Sequence, residues 1–322
     1  MTAIAKAHPN IALVKYWGKR SQEEMLPDVG SISITVSGML TTTELTFAQP
    51  GELEADDITL NGESRPEETG KVSRWLDRFR QHWGQERFAR VVSHNDFPTS
   101  AGLASSASGF AALSAAAFAD AQLDVSSEDL TRWARRGSVS AARSFHGGFV
   151  ELFREGDSYA SQLMDETQWP LDVHIAITSS KRKSVGSTDG MRTSAEQCPF
   201  YPAWIATQNA DLDEARAAIL AKDFERLAAI TETSCLKMHS VMIATPPGLL
   251  YWNSATLDLI HRIRELRAQG VGVTYTIDAG PQLKVICEPE SSEKVRVALD
   301  DAPSVERVIH AGLGGDLEVG RQ

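Results

Sequence analysis

The sequence predicts an α+β protein of about two domains, and three observations lead to that prediction. The chain has 322 residues, more than the ~100–200 residues of a typical domain. Residues 2–49 are rich in strand patterns, whereas residues 200–268 carry long helical patterns. Strand and helix patterns then alternate again up to residue 309. We expect the domain boundary near Trp169-Pro170, which divides the chain into residues 1–170 and 171–322.

The first domain begins with strand patterns and continues into helices. Its strand patterns are Ile11–Lys15, Ser31–Val36, Thr41–Phe47, Asp57–Gly62 and Phe88–Ser93. Ser31–Val36 alternates with period two, which predicts a half-buried strand. Helices are predicted for Lys71–Trp83, whose apolar residues share one face, and for Phe110–Phe118, which has strong helix propensity. A third helix begins after Ser126, a typical N-cap residue followed by two acids.

The second domain begins with a strand of the buried type, Val173–Ile177. Long helical patterns follow around residues 200–220, 222–240 and 250–268. The remaining elements are three strands, Val271–Ile277, Leu283–Cys287 and Val305–Ile309, and a helix over residues 290–299.

Composition limits the classes of partner. The formal net charge is -11, with 43 acidic and 32 basic residues, which argues against nucleic acid because phosphate backbones need a basic surface. A small anionic substrate stays compatible with this charge, since a few clustered cations suffice to bind it. The three cysteines are far apart in the sequence and are expected to be reduced core thiols. No apolar run has the length of a membrane span, and no secretory signal pattern is present. We therefore expect a cytoplasmic protein.

A glycine- and serine-rich loop, residues 98–109, leads from a strand into a helix. Such a helix start leaves backbone N–H groups unpaired at the positive end of the helix dipole, which is a suitable site for an anion. The hydroxyls of Ser105, Ser106 and Ser108 add donors, or oxygen ligands for a phosphate-bound magnesium ion. The alternative is a small-residue helix start that packs tightly on a sheet. No G-x-x-x-x-G-K-[ST] motif occurs, so the loop is not of the P-loop type.

Two basic segments also suit an anionic ligand. At the end of the first strand, Lys15 and Lys19 supply point charges and Tyr16 a directed donor; the alternative is that these lysines are solvated. Further along, Arg135–Ser144 is expected to begin a helix with Ser140 and Arg143 on one face, where the guanidinium can hold a carboxylate or phosphate bidentately. Its alternative is an arginine paired with a surface acid.

Two further segments complete the candidate site. Ser187 and Thr188 lie in a hydroxyl-rich loop before a helix, whose N-terminus can face an anion. Asp278 follows a strand and precedes Gly280-Pro281. It is either a turn cap or an ionised acid that orients or deprotonates a hydroxyl. The eight histidines show no metal-ligand spacing.

These segments together resemble the diphosphomevalonate decarboxylases, a branch of the GHMP small-molecule kinase superfamily. The matching motifs occur in the order N-I-A-L-V-K-Y-W-G-K-R, P-T-S-A-G-L-A-S-S-A-S-G, A-A-R-S-F-H-G-G-F-V-E, G-S-T-D-G-M-R and Y-T-I-D-A-G-P. The resemblance implies a two-domain GHMP-kinase-like fold with the active site in the cleft between an N-terminal ribosomal S5-like domain and a C-terminal GHMP-type domain. It also implies that ATP, with Mg²⁺, phosphorylates the 3-hydroxyl of (R)-5-diphosphomevalonate, and that loss of this phosphate and CO₂ gives isopentenyl diphosphate.

The resemblance also implies residue roles. Asp278 matches the catalytic aspartate beside the 3-hydroxyl, Arg143 the arginine that holds the substrate carboxylate, and Asn10 a residue near the reacting centre. The substrate-binding set is completed by Lys15, Tyr16, Trp17, Gly18, Lys19, Ser138, Val139, Ser140, Ala141, Ala142, Ser187 and Thr188. The ATP-side set is Lys71, Ser93, Asn95, Gly102, Leu103, Ala104, Ser105, Ser106 and Ser108. Ser106 is counted as catalytic too and is the one candidate metal ligand.

One departure and three alternatives remain. Val139 stands where the family commonly has glycine, which adds bulk beside the substrate. Relatives in this branch act on mevalonate 5-phosphate, or phosphorylate the 3-hydroxyl without decarboxylation; a ligand sensor on the same fold is the non-enzymatic alternative. Lys19, Arg143 and Asp278 favour the full decarboxylase. A homodimer is expected.

Overall fold

The computed structural model describes residues 2–64, 66–97, 105–179 and 185–321. The strands are β1 (Ala3–Ala7), β2 (Asn10–Val14), β3 (Lys19–Ser21), β4 (Leu26–Pro27), β5 (Ser31–Thr35), β6 (Thr41–Phe47), β7 (Asp57–Leu60), β8 (Ala89–Asn95), β9 (Phe149–Leu152), β10 (Ala160–Met164), β11 (Asp172–Ile177), β12 (Val273–Ile277), β13 (Leu283–Cys287), β14 (Arg307–Gly312) and β15 (Glu318–Arg321). The helices are α1 (Pro66–Trp83), α2 (Ser105–Asp120), α3 (Ser127–Gly137), α4 (Ser187–Gln197), α5 (Tyr201–Ala221), α6 (Phe224–Ala244), α7 (Ser254–Ala268) and α8 (Ser292–Asp300). Two 3₁₀ segments cover Val139–Phe145 and Pro289–Ser291. The prediction of an α+β protein is confirmed.

Within the described ranges, three sheets of four or five strands form the fold, and the chain crosses between them. Their strand orders are β15-β1-β6-β8-β7, β10-β9-β5-β2 and β12-β13-β11-β14, with β3 and β4 forming a separate hairpin. All pairings in the three sheets are antiparallel except β7 with β8. The last strand, β15, pairs with the first, β1. The domain boundary near residue 170, between β10 and β11, stays a prediction.

Hydrophobic packing joins the two halves of the chain. Helix α2 lies on β1 and β6, and its alanines allow close approach to that sheet. A second cluster combines Ile11 and Ile32 of the β10-β9-β5-β2 sheet with Leu212 of α5 and Leu227 of α6. Helices from the second half therefore cover a sheet from the first half, and the end of β2 meets the end of β12.

Two local predictions were wrong. Strand β5 was expected to be half-buried, but all five of its residues are buried because α5 and the 3₁₀ segment both pack against it. The expected helix through Arg135–Ser144 is interrupted, since α3 ends at Gly137 and Ser138 is extended at φ -153° and ψ 128°. The following turns are 3₁₀, in which residues i and i+3 lie in line. Ser140 and Arg143 therefore still share a face.

All three cysteines are free and buried, as predicted. Helix α1 begins at Pro66, earlier than Lys71, because proline is well suited to the first helical turn. None of the helices in the described ranges combines the length and apolar character that a membrane-spanning helix needs.

Candidate active site

The ends of β2 and β12 place a lysine and an aspartate in contact. Lys15 Nζ lies 2.6 Å from Asp278 Oδ1, although the residues are 263 positions apart in the chain. Lys284 of β13 reaches the other carboxylate oxygen, with Nζ 3.1 Å from Oδ2. Both lysine side chains are 1% exposed, whereas that of Asp278 is 29% exposed. The carboxylate is therefore held from inside the protein and open to a ligand on its outer side.

This arrangement fixes the charge of Asp278. Burial acts to raise its pKa, but the ammonium groups of Lys15 and Lys284 outweigh burial and hold that pKa well below its usual range. Asp278 is thus ionised at neutral pH. A carboxylate with so low a pKa is a strong electrostatic and hydrogen-bonding partner but a weak proton acceptor.

Arg143, in the 3₁₀ segment, is held by hydroxyl and amide oxygens. Its Nη1 donates to Ser31 Oγ and its Nη2 donates to Asn10 Oδ1 at 3.1 Å. Asn10 in turn donates to Ser140 O at 2.9 Å and to Ser144 Oγ at 2.8 Å. Burial lowers the pKa of Arg143 to about 10, and Asp278 and Tyr16 oppose the shift, so the guanidinium is charged at neutral pH.

Two buried donors have no partner among the described residues: Arg143 Nε and Tyr16 Oη, whose residue directly follows Lys15. Burial raises the pKa of Tyr16, so its hydroxyl keeps the proton and can donate. Buried donors without a partner cost roughly 1–3 kcal/mol each, and an anionic ligand would remove that penalty. Val139, Ala142 and Leu152 form a buried cluster on which Tyr16 packs. The valine therefore supports the tyrosine ring.

A second cationic region lies between the β3-β4 hairpin and α1. Burial, together with repulsion by the Lys71 ammonium, lowers the pKa of Lys19 to about 8. Two neighbouring ammonium groups that repel each other are suited to an anion that screens them both. The β3-β4 hairpin is anchored to α1, because Arg78 of α1 donates a hydrogen bond to Glu23 O at 2.6 Å.

Hydroxyl groups connect the start of α2 with the Arg143 segment. Ser106 Oγ lies 3.5 Å from Ser138 Oγ, which lies 3.3 Å from Ser140 Oγ. Ala141 and Ala142, which follow Ser140 and precede Arg143, are buried. Of the remaining loop residues, Ser105 begins α2, and Gly102, Leu103 and Ala104 lie outside the described residues.

Three expected ATP-side residues lie in a separate polar network along β6 and β8. Ser108 Oγ lies 2.6 Å from Thr41 Oγ1, and Thr41 donates to Asn95 Oδ1 at 2.6 Å. Ser93 Oγ lies 2.9 Å from Thr43 Oγ1. The hydroxyls of Ser93 and Ser108 and the amide oxygen of Asn95 thus bond within the protein, and the ATP-side roles of these residues stay predictions.

Trp17 lies against α4, the helix that begins with Ser187 and Thr188, whereas Gly18 lies against α5. A Cβ on Gly190 of α4 would come within 3.1 Å of the Trp17 ring, so glycine lets the helix rest on this ring. Gly18 has φ +107°, and a Cβ there would overlap Tyr201 Oη. The Trp17 carbonyl accepts a hydrogen bond from Trp204 Nε1 at 3.0 Å.

Sequence reasoning missed two supports of this site. Lys284 lies within an apolar strand. Its position in such a run was the sequence feature that could have predicted an ion pair, since buried lysines need a partner. Ser31 was expected only as part of a half-buried strand, but its hydroxyl accepts a hydrogen bond from Arg143. In the described ranges, no group of three or more His, Cys, Asp or Glu side chains is arranged to hold a metal ion.

The fold and the site define a class of protein. An α+β chain in two halves, with a helix that begins in small residues and an ion-paired aspartate directly after β12, has the architecture of the GHMP small-molecule kinases. Within that class the chain belongs to the diphosphomevalonate decarboxylase family. Residues 7–163 match the diphosphomevalonate decarboxylase-like N-terminal domain, and residues 173–311 match the mevalonate 5-diphosphate decarboxylase C-terminal domain.

Individual relatives agree with this assignment. The human diphosphomevalonate decarboxylase is 36% identical over 298 residues, which cover 84% of this chain and 73% of the relative. A phosphomevalonate decarboxylase of Haloferax volcanii is 30% identical over 322 residues, which cover 99% of this chain and 98% of the relative. A solved structure described as MDDEF in complex with MVAPP, AMPPCP and magnesium is 37% identical, with a TM-score of 0.94, and the match covers 100% of this chain and 99% of that one.

Proposed function

We propose that this protein catalyses the ATP-dependent decarboxylation of (R)-5-diphosphomevalonate to isopentenyl diphosphate, with release of ADP, phosphate and CO₂, in the mevalonate route to isoprenoids. The observation that carries the proposal is the ionised Asp278, held between Lys15 and Lys284 and open to a ligand on its outer side. Family membership across both halves of the chain supports the same reaction.

Binding of the substrate follows from the positions of the charges. Lys19, Tyr16 and the hydroxyls at the start of α4 would hold the diphosphate, because they provide a cation, a neutral donor and a helix N-terminus. The Arg143 guanidinium would hold the substrate carboxylate, and its unpartnered Nε supplies the donor for it. Asn10 keeps the guanidinium in place through its Oδ1.

Asp278 would act mainly by orientation and charge. The tertiary 3-hydroxyl is a poor nucleophile, and a hydrogen bond to Asp278 aligns it for phosphoryl transfer. The low pKa of Asp278 argues against a large share of general-base catalysis. Its negative charge would then stabilise the carbocation-like centre that forms at C3 as the phosphate departs. The electrons of the breaking bond to the carboxyl carbon form the new double bond, and CO₂ leaves.

The described residues fit a nucleotide with magnesium. When bound, ATP supplies the phosphoryl group, and Mg²⁺ neutralises charge on the phosphates. Ser105 and Ser106 at the start of α2 would bind phosphate oxygens of ATP, and Lys71 would add a cation on the ATP side. Phosphates of ATP at Lys71 and of the substrate at Lys19 would together relieve the repulsion between these two ammonium groups. Ser106 also reaches towards Ser138, which would bring the nucleotide and substrate sides together.

One incubation tests the proposal. The protein is mixed with ATP, Mg²⁺ and diphosphomevalonate, and both ADP and CO₂ are measured. We expect equal amounts of the two products. ADP without CO₂ would indicate a 3-kinase, and neither product would indicate a ligand sensor.

A second candidate is decarboxylation of the monophosphate. The relative of Haloferax volcanii, which aligns over nearly its full length, favours testing it. The same assay with mevalonate 5-phosphate decides between the two. We expect kcat/KM for the diphosphate to be at least about tenfold higher, because the second phosphate adds at least one charge-assisted contact with Lys19.

We infer that the protein is a homodimer, and light scattering after size-exclusion chromatography would measure its mass in solution.

We also infer a cytoplasmic location. It is supported by the three free thiols, since reducing compartments keep thiols in this state.

A further inference from the structure

Two consecutive side chains of α6 contact the strands that end in Lys15 and Asp278. Ser234 and Cys235 are both fully buried. Ser234 Oγ accepts a hydrogen bond from the backbone N–H of Lys15 at 2.9 Å. Cys235 Sγ accepts one from the backbone N–H of Ile277 at 3.2 Å, and its thiol donates to the Ile277 carbonyl oxygen at 3.7 Å. Ile277 directly precedes Asp278, so both contacts lie at the base of the ion pair.

The strands concerned are sheet edges. Among the described strands, β2 is an edge strand of one sheet and β12 is an edge strand of another. Edge strands expose N–H and C=O groups that no neighbouring strand binds. Helix α6 packs against both edges, and Ser234 and Cys235 provide the missing acceptors. Thr276 Oγ1 joins the two edges directly by donating to Ala12 O at 3.3 Å.

Because Ser234 and Cys235 are neighbours on one helix, their contacts fix the Lys15 and Ile277 backbones relative to each other. The Lys15–Asp278 bond is 2.6 Å long, and a relative shift of about 1 Å would take it beyond hydrogen-bonding distance. We infer that Ser234 and Cys235 are positioning residues, which hold Lys15 and Asp278 in the geometry that the reaction needs. The inference rests on the proposed function and adds α6 as the element that sets its efficiency.

The first test compares three variants by steady-state kinetics. Cys235→Ala should lower kcat about tenfold and leave KM for both substrates within about twofold, because misplacement by a fraction of an ångström affects the reacting geometry more than binding. Cys235→Ser keeps an acceptor for the Ile277 N–H and should restore kcat to within about threefold of the parent. The control is Cys287→Ala, since Cys287 is also fully buried but pairs with Val273 at the opposite end of β12. We expect this control to keep kcat within about twofold.

A coupling test separates positioning from general destabilisation. In the Asp278→Asn background, Cys235→Ala should change kcat by less than about twofold, because the charge that Cys235 positions has been removed. A further tenfold loss in that background would show independent effects and would overturn the inference. So would equal losses in Cys235→Ala and Cys287→Ala, or a Cys235→Ser enzyme as slow as Cys235→Ala.

Folding is checked by thermal denaturation of each variant. If Cys235→Ala does not fold, Ser234→Ala replaces it, and a kcat equal to that of the parent in this variant contradicts the inference. An inactive parent enzyme would overturn the proposed function and this inference together. An active parent whose Ser234 and Cys235 variants retain full kcat would contradict the inference alone.

Discussion

Asp278 has two lysine partners in a place that water reaches only partly. Burying a carboxylate normally favours its neutral form, yet Lys15 and Lys284 reverse that preference. The lysines are themselves fully buried, so they cannot turn to solvent when a ligand arrives. A fixed negative charge between fixed positive charges is a preorganised electrostatic site, and its properties can be tested one residue at a time.

Lys284→Met should shift the acid limb of kcat/KM. Removal of this ammonium leaves burial opposed by Lys15 alone, so the pKa of Asp278 rises. Because the ionised carboxylate is the active form, activity is then lost at a higher pH as the solution is acidified. We expect a shift of at least about one pH unit. Because the pKa of Asp278 in the parent lies well below its usual range, profiles of kcat/KM are measured down to the lowest pH at which both proteins stay folded. Superimposable acid limbs for parent and variant would contradict the role of Lys284.

Lys19 should limit activity on the alkaline side. Its pKa is lowered to about 8, so it loses its charge as the pH rises through 8 in the free enzyme, and kcat/KM for the anionic substrate falls. Lys19→Arg retains its charge at this pH and should move the alkaline limb upwards by more than one pH unit. An unchanged alkaline limb in Lys19→Arg would show that titration of Lys19 does not cause the alkaline loss of kcat/KM.

At the scale of elements, local pattern predicted most strands and helices of the second half, since their apolar periodicity is strong. Local pattern failed to predict elements whose formation depends on tertiary contacts. The four residues of β15 are all exposed, so β15 has no apolar pattern, and its pairing with β1 forms only in the folded chain. Tertiary packing also decides the residue at the end of α3, because a Cβ on Gly137 would overlap the Phe110 ring of α2. Lys15 and Asp278 were identified as candidates, but their ion pair was not, since nothing local links positions so far apart.

Helix α4 offers a test at the same scale. In Gly190→Ala the added methyl group would lie 2.9 Å from Tyr251 Oη and 3.1 Å from the Trp17 ring, so either these side chains or the helix must shift. We expect the helix to shift and KM for the diphosphorylated substrate to rise about fivefold or more, because the N-terminal hydroxyls move with the helix. Gly70→Ala in α1 is the control, since its methyl group makes an ordinary 3.5 Å contact with Arg74 Nη1. Equal KM values in the parent and Gly190→Ala would contradict this role for α4.

At the scale of the whole molecule, the C-terminal segment closes the fold on the first half. Gly148 N–H donates to Gly314 O at 2.9 Å, and Gly314 N–H donates to Thr35 O at 2.8 Å. Asp316 adds a carboxylate that accepts from Gly147 N–H at 2.7 Å. The segment therefore holds the loop that follows Arg143 against β5, whose Ser31 binds the same arginine.

Gly147→Ala should destabilise the protein by at least about 2 kcal/mol, because backbone cannot yield as a side chain does. A Cβ there would lie 2.6 Å from the Gly315 carbonyl carbon. Gly320→Ala in β15, with nothing within 4 Å of the added Cβ, should be nearly neutral. Urea denaturation of both variants compares them, and equal midpoints would mean that the crossing at Gly147 is not tightly packed.

In the proposed mechanism the negative charge of Asp278 drives the reaction, and the Asp278→Asn variant isolates the effect of that charge. The amide keeps the shape of the side chain and removes the negative charge. With ATP and diphosphomevalonate, we expect kcat for CO₂ release to fall at least about a thousandfold, while substrate affinity stays within severalfold of the parent. If Asp278 were only a turn cap, asparagine would replace it well. A folded Asp278→Asn protein that keeps most of its turnover would contradict a catalytic role for the charge of Asp278.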